Sequence, residues 1–227
     1  MTTPAGRRES VIAKIRLGLG ANDLAARRAE VAERLARPAP QLVPERAKQP
    51  ADERRRQLRT YLEGQSATFI DVESADDVPT AVARYLRSAN LPLRVRVGDD
   101  PYLSQLAWQS EPALERRNGR AHGDDEVGLS RAAAAVAETG TLVMASGADN
   151  PVTLNYLPET HIVVVEEGSL VGGYEEAWER IRARFGRRAM PRTVNFVSGP
   201  SRTADIGGQL VMGAHGPRRL CVILVRS

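Results

Sequence analysis

Three glycine-containing segments in the C-terminal half of the chain combine side chains that can bind and deprotonate small polar molecules. The first is Glu138-Thr139-Gly140-Thr141, which lies between an alanine-rich segment and the apolar run TLVMAS. Glu138 can serve as a base, and the threonine hydroxyls can line a binding site. A surface charge and a glycine that ends a helix explain the same residues equally well, because glycine adopts left-handed backbone most easily. The segment is therefore a candidate site with a structural alternative.

The second segment, Ser198-Gly199-Pro200-Ser201-Arg202-Thr203-Ala204-Asp205, follows the apolar run TVNFV. A strand, a turn and a predicted short helix in this order are typical of anion sites, because free N–H groups at the helix start attract negative charge. Arg202 would hold a carboxylate or phosphate with two N–H groups, assisted by the Ser201 and Thr203 hydroxyls. Asp205 would orient Arg202 or cap the helix. Ordinary N-capping by Ser201 or Thr203 explains the pattern without a ligand.

The third segment, Gly213-Ala214-His215-Gly216-Pro217-Arg218-Arg219, precedes the last apolar run of the chain. Glycines on both sides of His215, among them Gly216, would let a ligand approach the backbone closely. His215 can act as a general base or orient a ligand near neutral pH. A purely structural role for a single histidine in a turn remains open.

Sequence patterns of metal and nucleotide sites are absent. There is no CxxC or HExxH pattern, and the single cysteine, Cys221 in the run LCVILV, cannot hold an iron–sulfur cluster. The patterns GxxxxGK[ST] and GxSxG are absent too, which argues against nucleoside triphosphate hydrolysis and a serine hydrolase. We predict that this chain carries no metal and no cofactor of its own. The residues alone thus predict an anion-binding α/β domain.

The composition and charge of the chain indicate which classes of partner and which compartment to expect. The net charge is +4 and the pI is about 9.6, but the arginine runs are scattered among acidic residues and aromatics make up only 4% of the chain. A stacking surface for nucleic acid is therefore not expected. No apolar run approaches the ~20 residues that cross a bilayer, and MTTPAGRRES lacks the apolar core of a secretory signal. These observations predict a cytoplasmic protein without a membrane span; they do not predict its oligomeric state.

The predicted secondary structure that positions these segments differs between the two ends of the chain. Residues 8–36 show helical periodicity interrupted by Gly18 and Gly20, and a proline-rich stretch follows. We predict an N-terminal helical arm and Pro-rich linker over 1–50 and an α/β domain over 51–227. In that domain the runs ATFIDV, LRVRVG, TLVMAS, HIVVVEE, TVNFVSG and RLCVILV are predicted strands. Predicted helices cover residues 51–63, 75–88, 130–138 and 174–185. Continuous apolar strands alternating with helices indicate a largely parallel sheet between helical layers.

The candidate segments also carry a family resemblance. GLSRAAAAVAETGTLVMASG, LPETHIVVVEE and FVSGPSRTADIGGQLVMGAHGPRRLCVILV together resemble the lactate-utilisation protein C family, whose members contain a LUD domain. The resemblance is close over residues 128–225 and looser upstream. It implies a three-layer fold similar to the NagB/RpiA/CoA-transferase group. It also implies a place in a bacterial system that oxidises L-lactate to pyruvate, beside two iron–sulfur proteins that carry the clusters.

Three hypotheses follow from this resemblance and from the candidate residues. In the first, the chain is the cluster-free subunit and binds a small carboxylate or another anionic ligand: Arg202, Ser201 and Thr203 would hold the anion. His215 would accept a proton, and Glu138 with Thr139–Thr141 would line the opposite wall. In the second, the chain is a non-catalytic assembly or regulatory subunit whose arm docks the iron–sulfur proteins. In the third, suggested by the fold alone, it is an acyl-transfer or sugar-phosphate enzyme with Glu138 as nucleophile or base. The resemblance leaves open whether the chain is itself catalytic.

Overall fold

The protein divides into two compact units, 1–42 and 43–227. A computed structural model describes residues 4–20, 24–37, 42–186, 189–204 and 207–226. The first unit contains helices α1 (Pro4–Gly18) and α2 (Leu24–Ala36), in agreement with the predicted pair of helices. Residues 43–50, which the sequence analysis assigned to the arm, are grouped with the second unit. None of the described helices is long and apolar enough to cross a membrane.

The second unit alternates strands and helices. Its helices are α3 (Ala51–Gly64), α4 (Val78–Ser88), α5 (Pro101–Ser104) and α6 (Tyr174–Phe185). Its strands are β1 (Thr68–Val72), β2 (Arg94–Val97), β3 (Glu115–Asn118), β4 (Val127–Arg131), β5 (Ala134–Val136), β6 (Thr141–Ala145), β7 (Thr160–Glu166), β8 (Leu170–Val171), β9 (Val194–Val197), β10 (Arg202–Thr203), β11 (Val211–Met212) and β12 (Arg219–Val225).

A six-stranded parallel sheet in the order β1-β12-β7-β4-β2-β3 forms the centre of this unit. Strands β7 and β12 are buried on both faces, as their continuous apolar sequences predict. Val82 and Leu86 of α4 pack on one face of the sheet, and Leu58 and Leu62 of α3 pack on the other. The predicted α/β class, with a mostly parallel sheet flanked by helices, is therefore confirmed.

A second sheet, in the order β8-β5-β6-β9, lies outside the parallel one. Here β6 pairs antiparallel with both β5 and β9, with Leu142 opposite Val197. Ala177 and Ile181 of α6 pack against this second sheet. Two runs that were predicted as strands of the parallel sheet, TLVMAS and TVNFVSG, thus belong to a different layer.

Two predicted helices are wrong. Residues 130–138 form the end of β4, the whole of β5 and a single 3-10 turn. Alanine favours helix, but tertiary packing overrides this preference: the alanines between 132 and 137 are almost all buried, and Ala132 and Ala135 share a core cluster with residues of both sheets. After Ser201 the chain forms the short strand β10, paired antiparallel with β11, instead of the predicted helix. Consequently Arg202 does not stand at a helix N-terminus.

Candidate functional site

The three candidate segments lie next to one another, where β1 and β12 begin. Thr141 and Ser198 join the first two segments through their hydroxyls, whose oxygens lie 2.7 Å apart. Ser201 joins the second segment to the third: its N–H donates to the Pro217 carbonyl at 2.8 Å, and its carbonyl accepts from the Gly213 N–H at 2.9 Å. Segments that are far apart in sequence therefore form one continuous surface.

Four hydroxyl groups form a connected cluster on this surface. The Thr139 and Thr141 oxygens lie 2.8 Å apart, and each is 3.0 Å from the Tyr174 hydroxyl. Thr141 is fully buried whereas Ser198 is exposed, so the cluster leads from the interior to the surface. Three of these residues were predicted site residues. Tyr174 was missed because it starts a distant helix and no local pattern connects it with the loops.

Gly140 lies at the turn that leads into this cluster. Its φ of +64° is the left-handed conformation, so glycine is needed there as the sequence suggested. It is the C-cap of the 3-10 turn Ala137–Thr139 between β5 and β6, and not of the α-helix that the alanine-rich segment was predicted to form.

Glu138 lies in that 3-10 turn and is only 4% exposed. Its N–H donates to the Gly172 carbonyl at 3.1 Å. The carboxylate oxygen Oε2 forms an ion pair with Arg46, whose Nε lies 3.3 Å away, but this contact lacks hydrogen-bond geometry. This oxygen is therefore buried without a hydrogen-bond donor, which is uncommon for a carboxylate in a folded protein.

Arg202 faces the C-terminal end of α3. Its guanidinium donates to the Gln65 carbonyl and to the Ser66 hydroxyl. Gly199 approaches the same place so closely that a Cβ on it would lie 2.8 Å from the Gln65 Cβ. Thr203 is buried, and Asp205 lies outside the described residues. Arg202 thus connects the second segment to α3.

A cavity of about 390 Å³ lies beside the third segment; we call it the His215 cavity. Its lining includes Tyr156, Glu159, His215, Gly216 and Arg218. The N–H of His215 donates to the Ser201 hydroxyl at 3.3 Å, and the residue itself is exposed. Arg218 belongs to the quoted motif GAHGPRRL but was not chosen as a site residue. Its guanidinium lies 3.8 Å from the Glu159 carboxylate.

The three charged candidates have different neighbours. Glu138 contacts Arg46, Arg202 contacts the end of α3, and His215 lines its own cavity. The structure therefore brings together the predicted loops and their hydroxyl groups, while these three side chains have separate surroundings.

A larger cavity, of about 730 Å³, lies at the opposite end of the parallel sheet, where ligands often bind in α/β proteins. Arg131 at the end of β4 donates there to Asp100 at 3.0 Å and to Glu166 at 2.6 Å. This ion-pair network was not predicted, because Arg131 was assigned to the helix predicted over residues 130–138 and not to the end of a strand. In the part of the chain that the structure describes, no group of three His, Cys, Asp or Glu residues could hold a metal ion.

Fold and site together define the class: an α/β protein with a parallel six-stranded sheet, a smaller antiparallel layer and a polar loop surface between them. The LUD domain model matches residues 55–225. The chain belongs to the LUD domain family, which confirms the predicted membership.

Curated relatives and a solved structure agree with this membership. "Lactate utilization protein C" of Geobacillus thermodenitrificans is 35% identical over 119 residues, which cover 52% of this chain and 49% of that protein. The protein of the same name from Geobacillus kaustophilus is 34% identical over 148 residues, covering 58% and 62%. The chain thus spans about half the length of the curated relatives it matches. A crystal structure of a DUF162 family protein from Deinococcus radiodurans is similar with a TM-score of 0.60 and 25% identity, covering 78% of this chain and 99% of that one.

Proposed function

We propose that this chain functions in lactate utilisation as a cluster-free component and binds a small carboxylate in the His215 cavity. Family membership and the names of the relatives support the role. One observation carries the choice of site: His215 and Arg218 line the same cavity. A cation and a proton acceptor in one small cavity are what a 2-hydroxy acid requires.

The proposed chemistry divides between this chain and its partners. Arg218 would exchange its 3.8 Å ion pair with Glu159 for the carboxylate of the ligand, whereas Arg202 already donates hydrogen bonds to Gln65 and Ser66. His215, held by Ser201, would accept the proton of the 2-hydroxyl group. Oxidation of L-lactate to pyruvate also releases two electrons and the proton from C2. We propose that the clusters of the two iron–sulfur partner proteins accept those electrons and that solvent takes that proton.

Titration calorimetry with L-lactate and pyruvate tests the site. We expect Arg218→Gln to weaken binding about tenfold or more, because a charge-assisted hydrogen bond contributes roughly 1.5–3 kcal/mol. Arg219→Gln is the matched control: Arg219 also lies 3.9 Å from Glu159 but does not line the cavity, so its affinity should stay within about twofold of wild type. The proposed site is wrong if neither acid binds, with or without the iron–sulfur proteins, or if both variants lose affinity equally.

A second candidate function, assembly, is favoured by α2. Leu24, Val31 and Leu35 lie on one side of this helix and are 66%, 44% and 77% exposed. Exposed apolar residues at this spacing are typical of a helix that docks on another protein. In this role the chain would join the iron–sulfur proteins to each other without binding substrate.

Co-purification with the two iron–sulfur proteins tests the docking role. We expect that replacing Leu24, Val31 and Leu35 together by serine abolishes co-purification, because it removes the apolar contact area of the helix. Replacing Glu30 and Glu33 on the same helix by serine controls for a general effect of altering α2. Undiminished recovery of the partners with the triple variant would exclude docking through this face.

A further inference from the structure

Residues 43–50, which we call the strap, lie directly over Glu138. Ala47 is the buried residue of the strap, with 1% exposure. A Cβ on Gly172 would stand 1.9 Å from the Ala47 carbonyl oxygen, and a Cβ on Gly173 would stand 3.2 Å from the Ala47 Cβ. Only glycine at position 172 allows so close an approach of the strap backbone. The strap therefore fits against a surface that two glycines leave open.

Under the strap, the Glu138 carboxylate has one oxygen, Oε2, without a hydrogen-bond donor. Arg46 supplies a positive charge 3.3 Å from Glu138 Oε2 but donates no hydrogen bond to this oxygen, and 57% of the Arg46 side chain is exposed. A buried carboxylate normally accepts several hydrogen bonds. Glu138 Oε2 therefore has room for a hydrogen-bond donor that fits it better than Arg46 does.

Within the described part of the chain, few contacts hold the strap in place. Apart from Ala47 and Arg46, Gln49 contributes its carbonyl, which accepts from Arg54 Nε at 2.7 Å. Lys48 bonds within the strap itself, to Glu45. Among the described residues, one ion pair joins the strap to the rest of its unit, that of Arg46 with Glu138; sparse burial and few such contacts are typical of segments that open locally.

We propose that the strap is a displaceable cover, and that the uncovered Glu138 binds a ligand group carrying a cationic nitrogen in the place of Arg46. An ionised carboxylate only accepts hydrogen bonds, so its ligand must donate. Thr139, the next residue along the chain, belongs to the hydroxyl cluster, which would supply further polar groups beside the uncovered carboxylate. This inference does not depend on carboxylate binding in the His215 cavity.

Amidation with a carbodiimide and glycinamide, followed by peptide mass spectrometry, measures access to Glu138. We expect Arg46→Gln and Ala47→Glu each to accelerate amidation of Glu138 at least about tenfold, since each removes a contact that holds the strap down. Gln49→Glu adds the same charge as Ala47→Glu without touching Glu138 and should leave the rate unchanged. Glu53 on α3, with 42% of its side chain exposed, serves as the internal reference. Arg46→Gln alters an exposed side chain and should fold. If Glu138 is amidated at the same rate in this variant as in wild type, the strap is not a cover of Glu138.

Chemical rescue tests the ligand class. In Arg46→Gln, N-ethylguanidinium should occupy the place of the lost guanidinium and slow amidation of Glu138 several-fold, because its charge and donors match the carboxylate. N-ethylurea has a similar shape without charge and should protect much less. Equal effects of the two compounds, or no effect of either, would exclude a cationic ligand group at this carboxylate.

Discussion

Gly140→Ala is expected to lower the free energy of unfolding by about 3 kcal/mol, because the substitution combines backbone strain with a collision. Gly140 has a φ of +64°, a conformation that costs alanine about 1 kcal/mol or more. Its new Cβ would also lie 2.5 Å from the Cβ of Tyr61 on α3. Since this neighbour is close to the helix backbone, α3 or the turn must shift. Urea unfolding followed by circular dichroism measures the effect.

Gly207→Ala separates strain from collision. Gly207 has a φ of +63°, almost identical to that of Gly140, but a Cβ on it would meet none of the described residues beyond its chain neighbours within 4 Å. This control should lose about 1 kcal/mol, the cost of strain alone. Similar losses in both variants would show that α3 yields to the new methyl group at little cost, and the close contact between Tyr61 and the turn would then not determine stability.

The same contact explains how much of the site could be predicted. The need for glycine at position 140 was visible in the sequence, since a glycine after a polar turn is typical of left-handed backbone. The partner of that turn was not visible, because Tyr61 lies on a helix far away in the chain. Arg46 and Tyr174, which complete the surroundings of Glu138 and of the hydroxyl cluster, were missed for the same reason. Their contacts arise from tertiary packing and leave no local pattern.

The secondary structure also divides into elements that the sequence predicts and elements that depend on tertiary packing. The run HIVVVEE predicted β7 correctly because its apolar residues have no gaps, which only a strand covered on both faces requires. The alanines from 132 to 137 were predicted as helix from their intrinsic preference, which is small in free energy compared with burial in a tight interface. The antiparallel pairing of β6 with β9 depends on register between distant segments. Composition and periodicity do not contain that information.

A second large effect is expected from pH, because His161 is fully buried in the centre of the parallel sheet. Burial lowers the pKa of His161 from 6.5 to about 4. Its Nε2 lies 3.1 Å from the Ser130 hydroxyl, a contact that the neutral ring can maintain. The unfolded chain therefore binds a proton between about pH 6.5 and 4 that the folded chain does not, so stability falls as pH falls through this window.

We expect the free energy of unfolding to decrease by about 2 kcal/mol between about pH 7.5 and 5, since each unit of pKa difference corresponds to about 1.4 kcal/mol. Urea unfolding at both pH values measures this decrease. His161→Gln retains a side chain that can bond to Ser130 but does not titrate, so its stability should change little over the same range. His122→Gln alters an exposed histidine and should behave as wild type does.

Asp125 should contribute little in that window. Burial acts to raise the pKa of Asp125, but hydrogen bonds from Arg96 and the His122 N–H outweigh it, and the pKa lies below its usual 3.8. The stability that this carboxylate adds is therefore present above about pH 4 and is lost only at lower pH. A decrease between about pH 7.5 and 5 that persists in His161→Gln would mean that other groups cause it. A decrease that disappears in this variant alone would identify the buried imidazole as the group that limits stability in mild acid.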